Sequence, residues 1–323
     1  LFNDLISVQI KEPLKENELV KSIQSLEEIV DPVSKKVQEQ YEENPYPRWR
    51  GVNKTLTKDF IYWLNEEIEP NKIEYNDKFN NTNLLIAGCG TGSHPISSTR
   101  YKNSNILAVD ISLASLAYAK RKTKELNIKN IEYMQADILQ LKKLNKKFDV
   151  IESAGTLHHM KDPVKGLKVL LDILVPRGFL KLGLYSETAR KHIVEAREFI
   201  KRKNYKNISK DIKICRQDII NEKVNPINQK IILHTDFYST SSVRDLLFHV
   251  QEHRFTIPQI SKILKDLNLE FLGFFFLNPP IKKKFSKLFP EDKNNISLDN
   301  WHQFEIDNPD TFIDMYQFWV RKI

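Results

Sequence analysis

Two cysteines, Cys89 and Cys215, stand among 323 residues. So few exclude a disulfide scaffold and point to a reducing compartment, the cytoplasm. No run of about 18 apolar residues occurs, so no membrane-spanning helix is expected. The opening residues, LFNDLISVQIKEPL, mix apolar and acidic side chains. They lack the basic-then-apolar order of a signal peptide. Internal repeats and low-complexity tracts are missing too, which argues against a solenoid or an array. The first residue is Leu1 rather than Met, so a longer protein with further upstream sequence is the expectation.

The apolar share is 41%, with 10% aromatic, which is enough to bury a core. The net charge is +8. A basic chain is a candidate for polyanion binding. Here the lysine runs, Lys142-Lys143, Lys146-Lys147 and Lys282-Lys283-Lys284, are short and scattered. They read as solvated surface, which disfavours nucleic acid as a partner.

The spacing of Leu14, Leu19, Ile23, Leu26 and Val30 predicts helix over residues 1–40, with a break at Asp31-Pro32. A second helix is expected from Val33 to about Glu43, ending at Asn44-Pro45. Gln40–Trp49, QYEENPYPRW, reads as a shaped loop. From Leu84 short apolar runs alternate with amphipathic stretches, as in βαβ units over a parallel sheet. The runs are Leu84–Ala87, Ile106–Val109, Ile131–Met134, Val150-Ile151 and Phe179–Leu184. After Tyr185 the alternation stops and charged helices follow. Thr256–Leu267 is expected as helix, with Glu270–Leu277 and Met315–Val320 as strands.

Leu84–Ala87 runs into Gly88-Cys89-Gly90-Thr91-Gly92. Glycines at a strand end permit positive φ and close approach of a ligand to the backbone. The dinucleotide fingerprint needs a third glycine where Ser93 stands, so a nucleoside ligand without phosphates fits better. Asp110 ends the second run, 18 residues past Gly92, where a carboxylate accepts from both ribose hydroxyls. Asp137 ends the third and suits an adenine amino group, with Ile111 and Ile138 as apolar plates.

These residues, with Phe148–Met160 (FDVIESAGTLHHM) and Pro163–Gly183, resemble the class I S-adenosylmethionine-dependent methyltransferases over about a hundred residues. The resemblance implies an α/β, Rossmann-like, doubly wound mixed sheet of seven strands. It implies S-adenosyl-L-methionine as cofactor and S-adenosyl-L-homocysteine as product. The cofactor set it implies is Ala87, Gly88, Cys89, Gly90, Thr91, Gly92, Asp110, Ile111, Ser112, Asp137, Ile138 and Ser153. Domain bounds follow: a helical cap over residues 1–75, a core over 76–187, an insertion serving as substrate lid over 188–255, and the last helix and strands over 256–323. The wider chain is similar to bacterial methyltransferases sometimes joined to tetratricopeptide repeats; the repeats are absent from these residues, and whether a repeat domain precedes residue 1 is left open.

In that family the loops after strands four and five line the transfer site. His159 is the first candidate for a base or substrate contact, then His158, with Glu152 behind them. Tyr185, Glu187 and Arg190 follow strand five, and Arg190 suggests an anionic substrate group. Read as helix, Arg244–Arg254 puts Arg244, His249, Glu252 and His253 on a partly shared face. His249–His253 also matches H-x-x-E-H, a zinc pattern that this context argues against, so no metal is expected. Tyr41, Tyr46, Arg48 and Trp49 are candidates for a cap over the pocket. The function expected is methyl transfer to a small-molecule or peptide side-chain acceptor. The alternatives are a nucleic-acid methyltransferase and a non-catalytic binding module.

Overall fold

A computed structural model describes residues 2–52, 56–221, 230–276, 278 and 280–323. Among these residues eight strands form one sheet: β1 (Gln24–Ser25), β2 (Asn83–Ala87), β3 (Asn105–Asp110), β4 (Ile131–Gln135), β5 (Phe148–Ala154), β6 (Leu174–Tyr185), β7 (Leu269–Phe274) and β8 (Met315–Lys322). Their order is β1-β4-β3-β2-β5-β6-β8-β7. All neighbours pair parallel except at β8, which runs antiparallel to both β6 and β7. This is the expected seven-stranded Rossmann-like sheet with a two-residue strand added at one edge.

Period-two alternation divides β2 between the two faces of the sheet. Leu84 and Ile86 pack into a cluster with Phe60, Ile61 and Leu64 of the Phe60–Ile68 helix and Leu116 of the Leu113–Glu125 helix. Leu85 and Ala87 join the opposite cluster, with Leu167 and Leu170 of the Pro163–Ile173 helix and Ile260 of the Ile257–Asp266 helix.

The N-terminus departs from the helix read over residues 1–40. Helix ends at Val20, and the chain then extends as β1. Leu26 N donates to Gln135 O at 2.9 Å, covering polar groups that edge strand β4 would otherwise expose. Asp31 is not merely a break: its carboxylate accepts from Val33 N and Ser34 N and caps the Pro32–Glu43 helix.

Residues 188–255 form the Lys191–Lys203, Ser209–Asn221 and Thr240–Phe248 helices around a separate core of Ile193, Phe199, Cys215 and Val243. Residues 222–229 of this insertion lie outside the described residues, as does Leu277, the expected last residue of the Glu270–Leu277 strand. Two helices not read from the sequence, Pro280–Leu288 and Leu298–Asp307, lie between β7 and β8. Among the described residues no helix is long and apolar enough to cross a membrane.

Charged groups sit inside this fold. Glu67 is buried and accepts from Lys181 Nζ of β6 at 2.6 Å and Trp319 Nε1 of β8 at 2.7 Å, and Arg100 also donates to it. Removing the carboxylate leaves a buried Lys181 unpaired. Glu67→Ala should therefore lower unfolding free energy by about 3–5 kcal/mol, read by urea denaturation. Glu152 of β5 is held down to about 2, against the cost of burial, by His94, Lys181 and Tyr101. The unfolded chain takes up that proton first as pH falls. Its stabilising contribution should be full above the ordinary glutamate range and lost toward pH 2, a slope that Glu152→Gln should flatten in acid titrations followed by circular dichroism.

Candidate active site

A cavity of about 260 Å³ opens at the carboxyl ends of β2 to β5. One end is walled by Gly88, Cys89, Gly90, Asp110, Ile111, Asp137 and Ile138. The other is walled by Thr156, His159, Met160, Tyr185, Asp245 and Met315, and Ser34, Val37, Tyr41, Tyr46 and Pro47 also line the cavity.

The glycine loop is shaped for close approach. Gly88 has φ of +82°, and a Cβ there would sit 2.0 Å from Thr156 Oγ1. Gly90 has φ of +50°, with Tyr46 O only 2.9 Å from where a Cβ would lie. Glycine is thus required for the loop to pack against Thr156 on one side and the Tyr46 carbonyl on the other.

Asp110 accepts from Gly90 N at 2.8 Å on one oxygen and from Ser112 N at 3.0 Å on the other. Each oxygen keeps a further lone pair. Burial pushes the carboxyl up to about 6, and those amides offset part of the rise. The adjacent Glu42 carboxylate caps the Leu113–Glu125 helix through Leu113 N (2.6 Å) and Ala114 N (3.0 Å). Asp137 has two roles: it lines the cavity and accepts from Leu139 N at 2.9 Å.

Several residues of the expected cofactor set lie behind the wall. Ala87 is buried in β2, and Ser153 Oγ donates to Ala87 O at 3.0 Å, tying β5 to β2. Ser112 caps the next helix through Ser115 N, while Ser115 itself reaches the lining. Thr91 donates to Pro47 O and accepts from Trp49 Nε1 at 3.2 Å, so it fastens the cap to the glycine loop. Gly92 starts the Ser93–Ser98 helix in the left-handed region. Tyr41 and Tyr46 reach the cavity. Trp49 instead packs edge-on against Tyr118, with Arg48 over the same ring.

At the other end His159 Nδ1 lies 2.7 Å from Gln251 O. A carbonyl only accepts, so Nδ1 carries the proton and Nε2 keeps its lone pair. Burial lowers this imidazole to about 4, so it is neutral near pH 7. His158 is fully buried, stacked on Tyr185 at 3.6 Å, and lies off the cavity wall.

The Arg244–Arg254 stretch is not one helix. Helix ends at Phe248, so His249, Glu252 and His253 do not share a helical face with Arg244, and H-x-x-E-H has no helix to carry it. His249 Nδ1 accepts from Gln251 N at 3.2 Å, which puts its proton on Nε2, 3.2 Å from Tyr41 Oη. Tyr41 in turn donates to Asp245 Oδ1 at 2.6 Å. His249 also stacks on His159 at 3.6 Å.

His159, Asp245 and His249 place donor atoms within 4.8 Å of one another. The Gln251 amide nevertheless leaves His249 presenting N–H rather than a lone pair on that side. Asp245, absent from the sequence candidates, is pushed up to about 7, chiefly by burial.

The expected anion-binding arginine is already neutralised. Arg190 is buried, bonded to Glu252 at 3.0 and 3.3 Å, 3.6 Å from Asp314, and set over the Tyr185 ring. Glu252 also meets Arg197 and Arg254, and Glu187 meets Arg254 at 3.1 Å. Arg244 bonds Glu43, Asn44 and Asn207, latching cap to insertion. His253 contacts Gln251 at 3.0 Å and does not reach the lining.

Residues 78–235 match a family model described as a methyltransferase domain. The chain is 29% identical over 148 residues to an uncharacterized protein of Synechococcus sp., covering 42% of this chain and 34% of that one. Its fold is shared by PKMT2 from Rickettsia typhi (TM-score 0.57, 18% identity, 83% of this chain and 54% of that one). The same protein in complex with AdoHcy gives a TM-score of 0.58 at 17% identity, covering 84% and 55%. The chain thus spans about half the length of PKMT2 and a third of the Synechococcus protein.

Asp110→Ala should weaken binding of S-adenosylhomocysteine at least about tenfold by calorimetry, since charge-assisted bonds are each worth about 1.5–3 kcal/mol. Unchanged affinity would remove Asp110 from the site. In the wild-type chain the affinity should hold above pH about 6 and decline below it as Asp110 protonates.

Proposed function

We propose, from the premise that this chain carries a class I S-adenosylmethionine-dependent methyltransferase domain, that the protein methylates a small-molecule or peptide side-chain acceptor by in-line displacement. The observation that carries this is a single cavity joining two kinds of wall. One is a glycine cradle with two carboxylates, Asp110 and Asp137. The other is a set of proton-handling side chains, His159, Tyr185 and Asp245.

The cofactor, when bound, supplies a methyl group on a positively charged sulfur, a leaving group that needs no acid. The residues present suit its nucleoside part. Gly88 and Gly90 present backbone to the cavity, Asp110 has lone pairs for a ribose diol, and Ile111 and Ile138 offer apolar faces.

What remains for the chain is positioning and proton transfer. Tyr185 is rigid, because His158 stacks on it and Arg190 lies over its ring. It therefore fixes one wall against which an acceptor is aligned. Met160 and Met315 add adaptable apolar surface beside it. His159 keeps Nε2 as an acceptor through its Nδ1 bond to Gln251. The cap residues Tyr41 and Tyr46 and Pro47 exclude water above.

Calorimetry of the intact chain should register S-adenosylmethionine and S-adenosylhomocysteine binding in the micromolar range, and no comparable heat from a nicotinamide dinucleotide. Absence of heat at high micromolar ligand sinks the proposal. With methyl-labelled cofactor and a mixed pool of metabolites and peptides, label should appear in those fractions and not in added RNA or DNA.

A further inference from the structure

Asp245 is a buried carboxylate with no cation bonded to it among the described residues. Its hydrogen-bond partner is neutral Tyr41, whose hydroxyl donates to Oδ1 at 2.6 Å. A buried charge without a counter-charge is costly unless something supplies one. The neighbouring cations do not. Arg190 is committed to Glu252, and Arg197 and Arg254 meet the same carboxylate. Arg244, next in sequence, points to Glu43, Asn44 and Asn207.

No Lys or Arg lines the cavity among the described residues, whereas Asp110, Asp137 and Asp245 all do. Asp110 and Asp137 already accept backbone amides and stand at the nucleoside end. Asp245 is the carboxylate left at the acceptor end.

We propose, building on the methyltransferase reading above, that the acceptor is an amine that enters as an ammonium ion and that Asp245 is the catalytic group that takes its proton. The ammonium N–H bond breaks, its hydrogen passes to the Asp245 carboxylate, and the freed nitrogen lone pair forms the new N–C bond. The C–S bond breaks in the same displacement, and sulfur keeps that electron pair. The proton leaves Asp245 to solvent after product departs.

Tyr41 is a positioning residue in this scheme. Its hydroxyl favours the ionised carboxylate and is oriented by His249, whose Nε2–H faces it and whose Nδ1 is pinned by the Gln251 amide. Other groups act on Asp245 as well. Arg190 favours its ionised form, whereas Asp236 and Glu252 disfavour it, and burial is the largest effect, bringing the group to about 7. Tyr46, bonded to Asp236 at 3.0 Å, and neutral His159 and Tyr185 complete the surroundings. His159, lowered to about 4, is the weaker proton acceptor of the two.

The test needs no acceptor in hand. Sinefungin is a cofactor analogue that carries an ammonium-bearing carbon in place of the methylated sulfur, so it presents a cation toward the acceptor end. Calorimetric titration of the intact chain should give sinefungin at least about a tenfold preference over S-adenosylhomocysteine above pH 7, fading below about 7 as Asp245 protonates. Asp245→Asn should abolish the preference while S-adenosylhomocysteine affinity stays within about twofold.

Tyr41→Phe, which removes one hydroxyl, should move the fading point to higher pH, because the ionised carboxylate loses its donor. A purely structural Tyr41 would leave that point where it is. Equal affinity for the two ligands at every pH, or a preference that survives in Asp245→Asn, overturns the assignment. Failure of both ligands to bind would instead overturn the methyltransferase reading beneath it.

Discussion

Two buried carboxylates, one in the sheet and one on a helix packed against it, constrain the residues around them. Central strands of a parallel sheet are ordinarily apolar on both faces. Here Glu152 of β5 lies in register with Lys181 of β6, and Glu67 reaches Lys181 from the Phe60–Ile68 helix. Desolvating such charges is tolerable only when every one is bonded. The network meets that condition. Glu67 binds Lys181, Trp319 and Arg100, while Glu152 binds Tyr101, Ser98 and His94. His94 is on the cavity wall. A line of buried polar contacts therefore runs from β8 to the first turn after the glycine loop, and the loop's position is set by the core rather than by local sequence alone. Glu152, read from the sequence as a carboxylate standing behind the acceptor site, sits instead behind His94.

The carboxyl end of a parallel sheet cannot close itself, so both covers come from elsewhere in the chain. The cap arrives from residues 32–49 and the insertion from residues 240–254, and they meet at Tyr41 and Asp245, 204 positions apart. The Arg244–Glu43 pair spans the same junction. Glu43 is 57% exposed, so that contact is screened and worth at most about 1 kcal/mol. Most of the holding falls to buried contacts, the Gln251–His249–Tyr41–Asp245 chain and the Thr91 fastening to Pro47 and Trp49. The insertion also has a hydrophobic cluster of its own, separate from the two that flank the sheet.

What the sequence made legible was what local physics decides. The glycine loop, Asp110 and Asp137 stand at ends of strands whose alternation is plain, and all five strands from Leu84 to Leu184 appear where the apolar runs lie. What it hid depends on partners far away in the chain. Ile23 and Leu26 keep helical spacing yet serve an extended segment, because β4 needed an edge partner. The helix at Thr240 stops at Phe248, and Gln251 beyond it meets both His159 and His249. Glu42 reads as one more acid on an amphipathic helix until the Leu113 amide is seen against it. Asp245 was the costliest omission. Its one local signal was an acid set among Val243, Leu246, Leu247 and Phe248, all buried.

Charge shows most clearly why a whole-chain quantity could not identify the acceptor. The protein carries a net charge of +8, and that excess says only what its surface attracts. Inside the cavity the sign is reversed. Two arginines close to it in sequence are met by carboxylates, Arg190 by Glu252 and Arg244 by Glu43, while Arg48 lies over the Tyr118 ring. Arg190 alone suggests an anionic substrate, but with its partners in view it is a support for the Tyr185 ring. A buried group left without a counter-charge is what carries information about a ligand. At the end of the cavity away from the glycine loop that group is Asp245, a carboxylate held by a neutral phenol.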